Sequence, residues 1–332
     1  MPPMSLSELQ LVDPVLSRLV RQDRPGGFIY DQICARMDVQ FNAGIYPVWS
    51  REDFSRIGDD DAEGAVADRA ETPEIDFGYT TRPYVLRNYR RQVTISPEER
   101  SQAHSALRFE ASKVNGLRDY MSLIRERRLA RKLRLVANGG ALTSGAAVGI
   151  KWDQPTATIE ANFQAARVAV NNATGQHVDT AIIPWKVAYA MALHPSIREI
   201  LKYTVDGGKI LQLGDRILPS QLHGVNIVIP QVQANFARKG AAAAFQQVWG
   251  DHVRFVKRGQ DNAWGEVSTV YALRGNVRST GTTAAGGEPE FALIDRWPTP
   301  DPPVDHVRMW EKVEEHVTAP DVAYELSSTL TP

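Results

Sequence analysis

The chain has 332 residues, of which 43% are hydrophobic and 23% charged, as in soluble globular proteins and unlike fibrous or disordered chains. Its 38 Lys and Arg against 39 Asp and Glu give a net charge of −1, which argues against a protein that is basic over its whole surface. The single Cys34 excludes an intrachain disulfide and zinc sites built on paired cysteines. We find no signal-peptide pattern and no apolar run of about 18 residues, so we expect a soluble protein made in the cytoplasm.

The first part of the chain is typical of an arm followed by a long hairpin. Residues 1–43 combine a short helical stretch, a turn and an interrupted apolar stretch, which is too little to form a hydrophobic core of its own. Strand-like runs at 45–49 and 75–79 then flank the acidic, glycine-bounded segment 58–64. Compact domains rarely carry a loop of this length without a use for it, so we expect this excursion to be functional.

A long helix is predicted to follow the hairpin. Ser96 is a candidate N-cap, Pro97 stands at the first helical position, and two acids occupy the positive first turn. The stop signal is Asn138-Gly139-Gly140, so we expect one helix of about forty residues, ending near Ala137.

The second half of the chain alternates between helices and strands and then becomes rich in strands. Helices are predicted over 158–172 and 185–193, strands over 180–184 and 225–230, and further strands over 252–258, 267–273, 307–317 and 322–327. The order is arm, long hairpin, long helix, α/β unit and strands.

Signatures of enzyme chemistry are missing from the sequence. The segment 140–145 has the glycine spacing of a phosphate loop, but Ala146 and Ala147 stand where Lys and Ser/Thr are required. Ser144 lacks the flanking glycines of a nucleophile elbow, and the seven His are scattered without metal-ligand spacing. We therefore predict no catalytic, cofactor-binding or metal-binding residue and no cofactor, and we interpret Cys34 as a small buried apolar residue.

The near-zero net charge conceals two blocks of opposite sign. Residues 44–80 contain ten acids and three bases, a net charge of −7, and residues 82–134 contain fourteen bases and five acids, a net charge of +9. The blocks could be solvated faces; alternatively the acidic hairpin docks on the basic surface of a neighbouring copy, or the basic run 125–134 neutralises a polyanion. The second and third interpretations are compatible with each other.

Three stretches carry a resemblance through their order and spacing. They are Leu11-Val12-Asp13-Pro14 with Ile29-Tyr30-Asp31 and Gly44-Ile45-Tyr46-Pro47-Val48-Trp49; Ala173-Thr174-Gly175 with Asp179-Thr180-Ala181, Leu193-His194-Pro195 and Val248-Trp249-Gly250-Asp251; and Val307-Arg308-Met309-Trp310 with Tyr324-Glu325-Leu326. Together they resemble the major capsid proteins of tailed double-stranded DNA bacteriophages, whose shell fold is shared with encapsulin nanocompartments. The resemblance covers about residues 11–328, with a looser, proline-rich departure over 276–304.

The resemblance implies an α+β capsid fold in five parts. These are an N-terminal arm (1–43), an extended β-hairpin loop (44–95), a long spine helix with the start of a peripheral domain (96–155), an α/β axial domain (156–250) and the peripheral-domain strands with the C-terminus (251–332). The implied protein is a shell subunit and no enzyme. It assembles as hexamers and pentamers around packaged DNA and is located in the virion after assembly in the host cytoplasm.

The resemblance also implies the partners and the contact residues. We expect subunit contacts through the extended loop at Tyr46, Trp49, Phe54, Asp59, Asp60, Asp61, Phe77 and Tyr79, and a DNA-facing or loop-docking basic face at Arg125, Arg127, Arg128, Arg131, Lys132 and Arg134. Portal, scaffold and decoration proteins are further candidate partners, DNA contact is non-specific, and no membrane is involved. No long scaffold-like segment precedes the arm, which favours a separate scaffold or none.

Two alternative functions remain open, and one feature of the sequence departs from the family pattern. The alternatives are an encapsulin-type cage with a cargo enzyme inside, and a small-molecule enzyme that uses the α/β unit at 156–250. Some members of the capsid family cross-link their shells through a Lys of the extended loop. No Lys precedes Lys113 here, so we expect no such isopeptide from residues 44–95.

Overall fold

The computed structural model describes residues 26–49, 78–102, 109–203, 210–213, 216–238, 240–263, 265–275, 292–301 and 303–331. The α-helices are α1 (Tyr30–Ile33), α2 (Pro97–Gln102), α3 (Phe109–Lys132), α4 (Ile159–Thr174), α5 (Trp185–Leu193) and α6 (Pro195–Tyr203), with 3-10 turns at Val136–Asn138 and Pro320–Val322. The strands are β1 (Ala35–Val39), β2 (Ala43–Trp49), β3 (Tyr79–Val85), β4 (Arg87–Ile95), β5 (Gly145–Ala147), β6 (Thr180–Ile182), β7 (Ile210–Leu213), β8 (Arg216–Pro219), β9 (Gln221–Leu222), β10 (Val225–Val228), β11 (Gln233–Asn235), β12 (Phe245–Gln247), β13 (Val253–Val256), β14 (Val270–Gly275), β15 (Ala292–Pro300), β16 (Pro303–Val317) and β17 (Tyr324–Ser327). This content confirms the predicted α+β class.

A five-stranded sheet is organised around β16. Its strands run in the order β1-β14-β16-β15, and β4 pairs with the opposite edge of β16. Because β16 is 15 residues long, it pairs along one edge first with β15 and then with β14, while β4 occupies the other edge from Asp305 to Val313. The long helix α3 packs against β16 and β4. Helix and sheet together form the plate that carries the charged surfaces described below.

A six-stranded sheet forms the second layer of the molecule, in the order β5-β17-β13-β6-β10-β9. Its middle strand β6 is buried along its whole length, as expected for the predicted buried strand. The core next to it contains Trp152, Phe163 and Phe255, all fully buried, with the Phe163 ring 4.9 Å edge-on from that of Phe255. This aromatic cluster lies between α4 and the sheet.

The long helix begins as the sequence predicts but ends earlier. Ser96 and Glu99 form a reciprocal cap, in which the Glu99 amide donates to the Ser96 hydroxyl at 3.0 Å and the Ser96 amide donates to the Glu99 carboxylate at 3.1 Å. Helix is described at Pro97–Gln102 and Phe109–Lys132, with 103–108 outside the described residues. The expected end near Ala137 is wrong, because the chain turns after Lys132 so that Leu135 can bridge to Leu142.

The arm joins the core earlier than the sequence suggests. Ile29, Ile33 and Cys34 are buried in a core cluster formed mostly by residues of α3 and the later strands, so the arm packs into a core that it shares with the rest of the chain. Strand β1 then pairs in parallel with β14 at the edge of the five-stranded sheet. Residues 1–25, including the predicted helical stretch, lie outside the described residues.

Candidate interaction surfaces

A two-stranded hairpin, at the position predicted for the base of the extended loop, belongs to neither of the two larger sheets. Strands β2 and β3 pair from Ala43 with Val85 to Trp49 with Tyr79. Ile45 is 70% exposed and Tyr79 59% exposed, although both carry large apolar side chains. The hairpin therefore presents apolar surface that its own chain leaves open to solvent.

Only part of the predicted loop contact lies in the described structure. Tyr46 and Tyr79 are described in full, and the backbone of Trp49 lies in β2. The remaining predicted loop residues lie outside the described residues; they are Phe54, Asp59, Asp60, Asp61 and Phe77.

Polar contacts join the hairpin base to the end of β16. The Tyr46 hydroxyl lies 2.7 Å from Nε2 of His316, and their rings meet edge-on at 5.4 Å between centroids. The Val85 amide donates to the Glu314 carboxylate at 2.9 Å. Burial lowers the pKa of His316, with Lys132 acting in the same direction and Glu314 against it. Tyr46 and the Val85 amide thus attach the hairpin to the end of β16.

Three of the six predicted basic residues on or near α3 are paired within the chain. Arg125 pairs with Glu311, and Arg128 donates to both carboxylate oxygens of Glu315 at 3.0 Å through Nε. Lys132 donates to the main-chain carbonyl of Glu315. Because these glutamates belong to the strand on which α3 packs, much of the positive charge is neutralised within the subunit.

The other three basic residues differ in exposure. Arg127 and Arg131 are exposed, and Arg134 is half-buried just beyond the end of α3. The Arg127 guanidinium lies 4.9 Å from the ring centroid of Phe236, a cation–π contact with the loop after β11. Arg127 and Arg131 are therefore available to a partner, whereas Arg125 and Arg128 are already engaged.

A basic cavity lies between the C-terminal half of α3, the start of β4 and the end of β16. Its volume is about 500 Å³. The charged side chains that line it are Arg87, Arg128, Arg131, Lys132, Glu314 and Glu315, and we call these residues together the basic pocket. His316 also lines it, so the pocket adjoins the attachment of the hairpin.

Sequence reasoning did not identify the carboxylates that face the helix. Glu311 and Glu315 are four residues apart in β16, so their side chains lie on the same face of the strand. Arg125 and Arg128 lie about one turn apart on α3. Acids at even spacing in a strand, together with bases at helical spacing, were the available signal. Assigning the partners also required knowing that α3 packs on β16.

Glu126 is a second residue that the sequence did not single out. Its side chain is fully buried, and its carboxylate accepts hydrogen bonds from the indole of Trp249 at 2.8 Å and from the amides of Tyr30 at 3.0 Å and Ile29 at 3.3 Å. Burial raises its pKa from 4.5 to about 7, against the opposing effect of these three donors. Glu126 thus ties the start of α1 to α3 and to Trp249.

The segment that resembled a phosphate loop is a structural connection. A side chain at Gly140 would overlap the main-chain carbonyl of Arg134, and β5 begins at Gly145 against β17. Within the described residues no group of three or more His, Cys, Asp or Glu could hold a metal ion. None of the described helices is long and apolar enough to span a membrane.

Comparison with known proteins identifies the fold. No protein-family model and no curated protein sequence matches the chain. A solved phage-related protein of Bordetella bronchiseptica aligns with a TM-score of 0.65 and 18% identity, over 97% of this chain and 98% of that one. The capsid of cyanophage P-SCSP1u aligns with a TM-score of 0.57 and 13% identity, over 92% of this chain and 89% of that one.

The chain has the shell fold of phage capsid proteins. The same fold occurs in the holo SrpI encapsulin complex of Synechococcus elongatus, with a TM-score of 0.52 and 11% identity, over 98% of this chain and 95% of that one. The division of the chain into an extended loop, a spine helix and two domains stays a prediction. The predicted capsid fold is confirmed.

Proposed function

We propose that the chain is the major capsid protein of a tailed double-stranded DNA bacteriophage. Many copies would assemble as hexamers and pentamers into an icosahedral shell around the packaged DNA. The observation that carries the proposal is the near-complete structural alignment, in both directions, with a phage-related protein and with a cyanophage capsid protein. Alignment over almost the full length of both chains favours a shared subunit architecture over one shared module.

The exposed apolar hairpin supports a role in assembly. The side chains of Ile45 and Tyr79 at its base are exposed to solvent, and the neighbouring Phe41 is 70% exposed. Covering such surface on an adjacent subunit would contribute about 25 cal/mol for each Å² buried. We infer that the extended loop lies on the next subunit, where apolar burial supplies most of the attraction and charge chiefly sets the register.

The finer parts of the proposal concern partners and place. We infer a structural, non-catalytic protein that resides in the virion and is assembled in the host cytoplasm. Portal, scaffold and decoration proteins are proposed partners in the shell. Packaged DNA would be contacted without sequence specificity, through exposed bases such as Arg127 and Arg131.

Imaging the purified protein tests this function directly. We expect electron microscopy to show closed icosahedral shells, and particles from infected cells to carry a tail and nuclease-protected DNA. A monodisperse monomer or dimer by light scattering, whose melting transition is stabilised by a small molecule, would overturn the proposal.

An encapsulin-type cage is the second candidate, because the holo encapsulin complex shares the fold. The two functions predict different particle contents. Protein-filled cages without DNA or tails would support the encapsulin, whereas DNA-filled shells would support the capsid protein.

A second experiment tests the role assigned to the loop. Replacing Trp49 and Phe77 with Ala should weaken assembly more than deleting residues 59–63, since apolar burial is proposed to dominate the attraction. The fraction of protein in particles, measured by sedimentation velocity, gives the ranking. The reverse ranking would contradict the assignment of attraction to apolar contact.

A further inference from the structure

An apolar cavity lies between the β2–β3 hairpin and the five-stranded sheet. Its volume is about 460 Å³, and we call it the hairpin cavity. Met37, Tyr271 and Leu273 of the sheet, all buried, line one side of it, and Tyr46 and Val48 of β2 line the other. At ~30 Å³ for each water-sized group, the cavity has room for roughly fifteen non-hydrogen atoms. Cavities of this size that are lined mostly by apolar side chains are typical small-molecule sites.

The polar groups on the sheet side of the cavity are already satisfied within the chain. The Tyr271 hydroxyl donates to the main-chain carbonyl of Glu266 at 3.1 Å, and the Ser268 hydroxyl donates to that of Val270 at 3.2 Å. The Glu266 carboxylate, which is exposed at the rim, accepts the Gln260 amide at 2.8 Å. This side of the cavity therefore favours an apolar group, and Glu266 disfavours an anion there.

The opposite end of the cavity, where the hairpin meets the end of β16, is cationic. Arg82 lies directly opposite Tyr46 in the hairpin and donates to the main-chain carbonyl of Thr318 at 3.5 Å. Tyr46, Thr318 and His316 all line the cavity, and the Tyr46 hydroxyl lies 2.7 Å from Nε2 of His316. The guanidinium of Arg82 is thus placed beside the polar end of an otherwise apolar cavity.

The carboxylate near this end is held by other groups. Glu314 lies 3.9 Å from Nδ1 of His316, but its carboxylate accepts the Val85 amide at 2.9 Å and lies 3.7 Å from Nζ of Lys132. The described hydrogen bonds of Arg82 go to uncharged groups. Its planar set of donors is therefore available to the carboxylate of a ligand.

We propose that the hairpin cavity binds an amphipathic carboxylate, a molecule with a straight apolar chain and one anionic head, such as a medium-chain fatty acid. The chain lies against Met37 and Leu273, and the carboxylate pairs with Arg82 at the hairpin end. Bound there, the ligand joins the hairpin to the five-stranded sheet. The inference concerns a single subunit and does not depend on the proposed shell.

A series of ligands of increasing chain length tests the apolar part of the site. Hexanoate, octanoate and decanoate are titrated into the unassembled subunit and followed by isothermal titration calorimetry. Each added CH₂ group should tighten binding about fourfold, because each is removed from water in the cavity. Equal affinities across the series would show that only the head binds, and the proposal would be wrong.

A pair of phenylalanine variants tests where the chain of the ligand lies. Val48→Phe fills part of the cavity from a half-buried position in β2 and should weaken decanoate binding at least about tenfold. Val85→Phe is the matched control, because Val85 is exposed on β3 and does not line the cavity. Both variants should melt like the unaltered chain. Unchanged binding by Val48→Phe would place the ligand elsewhere and overturn the proposal.

A pair of ligands that differ only in the head tests the role of Arg82. Arg82→Gln should weaken decanoate binding about tenfold and leave 1-decanol binding nearly unchanged, because the alcohol has no charge to pair. Arg91→Gln, at an exposed position on β4, is the control and should change neither. If Arg82→Gln weakens both ligands equally or neither of them, Arg82 does not hold the head and the proposal fails.

Assembled particles separate this inference from a contact between copies and from the shell function. Particles of the unaltered chain should bind decanoate as the unassembled subunit does. Loss of binding on assembly would show that a neighbouring copy fills the cavity, and this would overturn the proposal. Electron microscopy scores particle formation independently. A subunit that binds decanoate but forms no shell refutes only the shell function, whereas shells and subunits that do not bind it refute only this inference.

Discussion

Replacing Glu126 by Gln should remove a large pH dependence from the stability of the subunit. The carboxylate is fully buried between α1, α3 and Trp249, where burial raises its pKa to about 7 from 4.5. The folded state therefore binds this proton more tightly than the unfolded state does. Its stabilising contribution is complete below the unfolded pKa and is lost as the pH rises through 7.

The size of the effect follows from the shift in pKa. A shift from 4.5 to about 7 corresponds to about 3 kcal/mol, at about 1.4 kcal/mol for each pH unit. Gln has nearly the same shape but no charge, and its NH₂ group would face one of the three N–H donors. That mismatch should cost about 1 to 3 kcal/mol at every pH. The variant should therefore be clearly less stable than the unaltered chain at pH 5 and should recover most of this deficit by pH 8.

Urea unfolding of the unassembled subunit at several pH values, followed by tryptophan fluorescence, measures this difference. Subtracting the free energy of unfolding of the variant from that of the unaltered chain cancels the titration of all other groups. Glu199→Gln on the exposed face of α6 is the control, and its difference should stay constant with pH. If Glu126→Gln also gives a constant difference between pH 5 and pH 8, the buried carboxylate does not titrate as argued.

Three further substitutions test the packing and the backbone. Phe163→Ala should cost about 3 to 5 kcal/mol in urea unfolding, because it empties a fully buried site against Phe255; a loss below about 1 kcal/mol would contradict the described core. Gly140→Ala should lower the melting temperature, since its Cβ would overlap an upstream carbonyl, whereas Gly149→Ala has open space and should change it little; equal shifts would be inconsistent with that close approach. Ser96→Ala should cost about 1 kcal/mol in urea unfolding through loss of the helix cap, and an unchanged midpoint would show that the cap adds nothing.

The order of elements could be predicted because local signals and tertiary structure agree over most of the chain. The helix at Trp185–Leu193 has the predicted bounds, and Ser96 caps α2 as its position before Pro97 predicts. The end of α3 could not be placed from the sequence, because no helix-breaking residue follows Lys132. The helix ends where Leu135 pairs with Leu142, a contact that only the fold shows. Strand β15 was not predicted, because Pro298 and Pro300 disfavour a strand; it forms in pairing with β16.

The interaction surfaces were predictable only in part, for a related reason. A basic run is visible in the sequence, but which of its members form ion pairs depends on the strand against which α3 packs. Arg125 and Arg128 face the glutamates of β16, whereas Arg127, which lies between them in the sequence, is exposed. Helical periodicity separates these sides, yet only the fold shows which side meets an acidic strand.

The pairing within the chain reduces the number of basic side chains that any interpretation of the two charge blocks can use. If the whole basic run faced a polyanion, its charges would be expected to lie free, but Glu311 and Glu315 already hold Arg125 and Arg128. Of the exposed cations of this run, Arg131 lines the pocket beside the hairpin base, whereas Arg127 lies over the ring of Phe236. Contact with DNA and docking on a neighbouring copy therefore both stay predictions for these few exposed bases, and neither can draw on Arg125 or Arg128 without breaking an ion pair within the subunit.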